Sequence, residues 1–249
     1  MIRLTEKQAE ALTPFRLSPD SANSPLSIDV IDLLDPKKAG EYLAAVKEHI
    51  GAKDEKTAAS ILVKRYAFLP VIYLYSMTAW NLRLNISHEN LSLEGQEKGE
   101  LWLPAFRFKS LVGECAGADR EQWREESIRA LFSGHVFPIL DNIAKEAKIS
   151  KLILWENIAI YLFWLYETVL PGETSAAEQA AEDFKFIMEE ASGDLFGGYN
   201  QNPLKRYHNE KIFVGSKGKL VRPRKTCCFS YLTDSGKRCG TCPQICKSL

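Results

Sequence analysis

Five of the six cysteines in this chain of 249 residues fall between Thr226 and Leu249. Cys227 and Cys228 are adjacent, ten residues follow, and Cys239 and Cys242 then enclose Gly240 and Thr241 ahead of Pro243. Thiols at this spacing admit three chemistries. Disulfides need an oxidising compartment, and a chain this long can build a core without covalent staples, so bridges gathered at one end would stabilise little else. Zinc favours two C-x-x-C knuckles around one tetrahedral ion; the second half fits, but adjacent cysteines have no spacer with which to fold round the same ion. A two-iron cluster also takes four thiolates, two per iron, on a wider frame. Small residues such as Gly240 and Thr241 between ligands let backbone N–H groups approach the bridging sulfides. Spacing alone leaves cluster, zinc and inert or disulfide thiols open, in that order of preference.

The run Arg224-Lys225-Thr226-Cys227-Cys228, the gap, and Cys239-Gly240-Thr241-Cys242-Pro243 resemble the C-terminal signature of the FhuF-like ferric-siderophore reductases. Upstream, Leu154-Trp155-Glu156-Asn157 is similar to a Trp-Gly-Asn segment of that family, with Glu156 in place of glycine, and Asn202-Pro203-Leu204 resembles its Asn-Pro-Leu. The resemblance implies a 2Fe-2S cluster held by Cys227, Cys228, Cys239 and Cys242. It implies as well a ferric siderophore as electron acceptor and an external donor such as a ferredoxin or flavoprotein reductase. Cys246, four residues past Cys242, is a fifth thiol within reach of the same site.

Charge is distributed to match. The net charge is zero, yet residues 1–204 carry 21 Lys and Arg against 30 Asp and Glu, whereas residues 205–249 carry 11 against 2. A thiolate-bound cluster is an anion in both redox states, so cations around it stabilise it and raise its potential. The same field attracts an anionic substrate, and Lys205, Arg206, Lys211, Lys217, Arg222 and Arg224 are the candidates to orient one. A basic end can also bind nucleic acid or merely face solvent. No repeated aromatic platform or reading helix accompanies it, so no nucleic acid partner is expected. Two other functions use the same residues: a zinc-containing protein whose basic tail recognises nucleic acid or an acidic partner, and an iron-sulfur redox sensor.

The elements that must position these thiols read as α+β and predominantly helical. Apolar content of 45% and charged content of 26% are ordinary for a globular chain. The first residues lack the apolar stretch of a secretory signal, which predicts a cytoplasmic protein with reduced thiols. Pro14, Pro19 and Pro25 suggest that residues 1–34 form an irregular surface arm. Asp35-Pro36 starts a helix that Gly51 stops, and another begins near Glu55. Residues 70–80 are apolar enough for a strand or a buried helix. Leu82, Leu84 and Ile86, then Leu91 and Leu93, alternate around a turn-like Ser87–Asn90 and predict a hairpin, which Leu101 to Phe108 extends. Cys115 reads as a packing residue, and His88 and His135 as polar residues without a ligand role.

Asp119 with Gln122, and Ser175 with Glu178, predict capped helices, the first interrupted at Ser133-Gly134. Residues 152–170 carry Glu156, Asn157 and Glu167, which a membrane span tolerates poorly, so they predict a buried core helix. Its polar residues must find buried partners or line a cleft. Phe196 to Pro203 lacks any nucleotide-binding pattern. Ile212–Val214 and Leu220-Val221 flank Gly215–Gly218 and predict a second hairpin feeding the cysteines. The expected organisation is therefore a helical body over 1–204 and a basic hairpin with the cysteine segment over 205–249, packed as one unit.

Overall fold

The computed structural model describes residues 1–20, 24–99, 101–173 and 175–246. The chain opens with β1 (Ile2–Arg3) and α1 (Glu6–Leu12), where Thr5 and Gln8 cap each other. Leu12, Phe15, Leu17, Val30 and Leu33 are buried, so the stretch expected as a surface arm belongs to the core. Its apolar residues are spaced too irregularly for either period to reveal them.

After β2 (Ile28–Asp29), α2 (Pro36–His49) starts as expected, with Asp35 accepting from the Lys38 N–H at 2.9 Å. Next come α3 (Glu55–Tyr66), capped by Asp54, and α4 (Phe68–Trp80), which resolves the ambiguous apolar stretch as a helix and ends at Asn81 in the left-handed region. Residues 55–80 and 151–172 are each long and apolar enough to cross a membrane. Their most apolar windows, however, are 89% and 56% buried inside the protein, as core helices are.

Six strands follow among the described residues: β3 (Leu82–Leu84), β4 (Leu91–Glu94), β5 (Glu97–Lys98), β6 (Leu101–Trp102), β7 (Ala105–Phe108) and β8 (Val112–Cys115). β3 and β4 do not form the expected hairpin. β3 pairs with β8, Leu82 opposite Cys115, in the order β1-β8-β3, whereas β4 pairs with β7, Leu91 opposite Phe108, in the order β2-β4-β7. The intervening turn holds buried Asn90, whose amide donates to Asn85 O at 2.8 Å and Ser110 O at 2.9 Å and steers the chain from one sheet into the next. Cys115 is exposed at the end of β8, not packed.

α5 (Arg120–Arg129) is capped by Asp119 and runs through a π-helical turn, Ala130–Val136, into α6 (Phe137–Glu146). The expected break at Ser133-Gly134 is thus a bulge within one helix, and Pro138 falls in the first turn of α6. α7 (Lys151–Trp164) continues through a second such turn to Pro171-Gly172. α8 (Ala177–Lys185) has no side-chain cap, so Ser175 and Glu178 do not form the expected box. The second hairpin is present: β9 (Ile212–Val214) pairs with β10 (Lys219–Val221), Phe213 opposite Leu220, across a turn with Gly218 at φ +60°.

α3 packs along α7, with α2 and α6 beside them and α4 and α8 behind. One core runs from Leu4 to Tyr207, while Val214, Val221 and Cys246 form a small separate cluster under the hairpin. The fold is α+β, predominantly helical, with small antiparallel sheets.

Candidate iron-sulfur site

The cysteine segment is fastened to α3 and α7 by a buried polar network. Glu156, 1% exposed in the middle of apolar α7, is a charge that must find partners there. It finds them in the residues leading into the cysteines: one carboxylate oxygen accepts from the Lys225 N–H at 2.6 Å, the other from the Thr226 N–H at 2.7 Å and from the Thr226 hydroxyl. Arg224, 4% exposed, lies 3.6 Å from the same carboxylate and donates to the Asn157 side-chain oxygen at 2.6 Å. The Asn157 amide donates to Ser60 O, and the Ser60 hydroxyl donates to the Cys228 carbonyl at 2.9 Å. Of the two fates open to Glu156 and Asn157, the structure takes the first: both are braces for neighbouring backbone.

Cys228 and Cys242 are buried, Cys227 and Cys239 half-buried, and none forms a disulfide. Cys228 and Cys239, one from each half of the signature, share a hydrogen bond. That bond, and then Lys64 and Arg224, lower the Cys228 pKa, while the same bond and burial raise that of Cys239. The Phe229 N–H points at Cys227 Sγ at 3.4 Å, and the Ser230 hydroxyl lies 3.0 Å from Cys228 Sγ. Cys242 stands one turn beyond Cys239, its N–H donating to Cys239 O at 3.1 Å. Among the described residues, no three side chains of His, Cys, Asp or Glu stand together as ligands of a single ion. The residues fit a thiolate-bound cluster in kind: reduced thiols, with N–H and O–H donors on sulfur and cations close by. Cys246 is set apart, its sulfur 3.4 Å from Lys217 Nζ and packed under the hairpin.

The six candidate orienting cations are not brought together. Lys211, Lys217, Arg222 and Arg224 border a cleft of about 960 Å³ that also exposes Cys239, Gly240 and Thr241. Within it Arg222 places both terminal nitrogens on one oxygen of Glu167, at 2.8 and 2.7 Å, and Lys211 takes the other at 2.7 Å. Arg224 is spent on the buried network. Lys205 and Arg206 border a different cleft of about 1040 Å³, beside Trp155, Tyr199 and Asn202. Asn202 there braces the loop, donating to Ile187 O at 2.6 Å and accepting from the Leu204 N–H at 2.9 Å.

Sequence reasoning missed Ser60 and Lys64, which lie 168 and 166 residues from the groups they contact. It also missed the core set around His135. That residue is buried, 2.6 Å from the Tyr66 hydroxyl and stacked on His88 with centroids 4.4 Å apart. Burial first, then the neighbouring His88, pushes the His135 pKa down to about 3.

A family model described as ferric iron reductase FhuF-like transporter matches residues 60–211, and one described as the FhuF 2Fe-2S C-terminal domain matches residues 224–244. No curated protein matches the chain. The first match begins at Ser60 and spans Glu156 and Asn157, the residues of the buried network that holds Arg224 to Cys228 at the start of the second. The chain belongs to the FhuF-like ferric iron reductase family, with a 2Fe-2S domain at its cysteine segment.

Proposed function

We propose that the protein is a cytoplasmic ferric-siderophore reductase in which Cys227, Cys228, Cys239 and Cys242 hold the cluster and the 960 Å³ cleft beside Cys239 receives the iron chelate. The cleft carries this reading. Phe68, Tyr161, Phe163 and Trp164 form its aromatic wall, while Lys64, Lys217 and Lys219 supply positive charge beyond what Glu167 neutralises. Its size lies at the upper end of small-molecule sites, and its makeup suits an anionic chelate with planar organic arms. When bound, the cluster supplies a one-electron couple.

The side chains of the cleft attract and orient the chelate with its iron toward Cys239, and no acid, base or nucleophile is required. One electron lowers the charge on iron(III), weakening its bonds to hydroxamate, catecholate or carboxylate oxygens, and iron(II) is released. The electron comes from an external donor. Anaerobic purification should give brown protein with four thiolate ligands by serine replacement. The reduced form should bleach ferric siderophores and yield iron(II) to a trap. Colourless protein containing zinc, or reduced protein inert toward every ferric siderophore tried, ends the proposal.

A further inference from the structure

A second cleft, of about 420 Å³, meets the first at Lys64 and Cys239. Its border is cationic, with Lys64, Arg65 and Arg238, and partly apolar, with Leu101 41% exposed. Of its acids, Glu97 is engaged by His49 Nε2 at 2.5 Å. Arg238 is exposed, lies over the Tyr231 ring at 4.3 Å from its centroid and donates to the Gln244 side-chain oxygen. The cleft has less than half the volume of its neighbour, yet it reaches the same half-buried sulfur.

We propose that this second cleft docks the electron donor, a small acidic one-electron carrier protein, while the chelate occupies the first. An apolar centre with a cationic rim is complementary to an acidic protein surface, and rim charges act mainly on encounter rate. Two clefts sharing one sulfur allow donor and chelate to be held together. The donor loses one electron, iron(III) gains it, and no bond is made or broken in the protein. The assignment of roles to the two clefts rests on the reductase reading, but docking of the carrier can be measured without any siderophore.

The test uses the full cluster-loaded chain and a reduced acidic 2Fe-2S ferredoxin as probe. Stopped-flow absorbance at a wavelength where the redox changes of the two clusters do not cancel gives the encounter rate, and calorimetry with oxidised ferredoxin gives a Kd. Arg238→Glu should lower the rate roughly tenfold and weaken Kd to match. Binding of a redox-inert gallium siderophore, followed by tryptophan fluorescence, should stay at the wild-type value. Lys219→Glu, in the first cleft only, should do the reverse. A saturating gallium siderophore should leave the ferredoxin rate of the unmutated protein unchanged, a measurement independent of how any variant folds. Wild-type kinetics in Arg238→Glu, or competition between ferredoxin and gallium chelate, overturns the proposal. Failure of gallium chelates to bind at all would count against the reductase reading and leave the docking result standing.

Discussion

At the scale of single residues, Glu156 matters most, because it is a buried carboxylate answering two backbone N–H groups, a hydroxyl and Arg224 at once. Glu156→Gln keeps the shape but removes the charge, leaving Arg224 buried without a counterion. A loss of about 3 kcal/mol is expected in urea unfolding, together with a low iron content in protein whose helical circular dichroism is normal. Retention of full iron content would show that the network does not position the thiols. His135 gives a pH signature. Its folded pKa of about 3 lies below the unfolded value of 6.5, so the unfolded chain takes up a proton that the native protein refuses. Its contribution is intact above pH 6.5 and drains away as pH falls toward 3, by up to about 1.4 kcal/mol per pH unit. His135→Gln should flatten that part of the stability profile relative to wild type, measured by denaturant titration between pH 4 and 7.

The cysteine spacing and the polar residues of α7 were legible as sequence because each is a local pattern. What Glu156 holds was not, since its partners lie about 70 residues away and no local rule reaches that far.

At the scale of elements, the site depends on how the turn after α2 meets the loop between the two cysteine pairs. Gly51, at φ +56°, faces Asp234 so closely that a Cβ built on it would sit 1.9 Å from the carboxylate, and the Asp234 N–H donates to Ile50 O at 3.1 Å. Gly51→Ala should cost about 1 kcal/mol for the left-handed backbone alone. It should also displace the 230–236 loop, seen as faster proteolysis there with the body left intact. Equal protection of the loop in both proteins would refute the contact. Here the sequence was a partial guide. Asp35 and Asp119 cap their helices as their positions predicted, because capping is decided within four residues. The pairing of β3 with β8 was hidden because alternation identifies a strand and not its partner. The helical break at Ser133-Gly134 was misread because a π turn keeps the axis running where an α-helix would stop.

At the scale of the molecule, charge is segregated: an acidic body carries a basic end, and that end borders both clefts at Cys239. Reduction of a negatively charged ferric siderophore should therefore slow as ionic strength rises from 0.01 to 0.15 M, the Debye length falling from about 30 to about 8 Å. A neutral chelate should show little change. Equal salt dependence for the two would remove electrostatic steering from the account.

The direction of the buried network along the chain has a consequence for biosynthesis. Ser60, Glu156 and Asn157 all leave the ribosome before Cys227 does. The receptacle is therefore translated in full before any of the four thiols is exposed to iron and sulfide. A nascent chain whose residues up to Arg224 have cleared the ribosome should already be folded, and iron delivery then becomes the closing act of maturation, with no part in nucleating the fold.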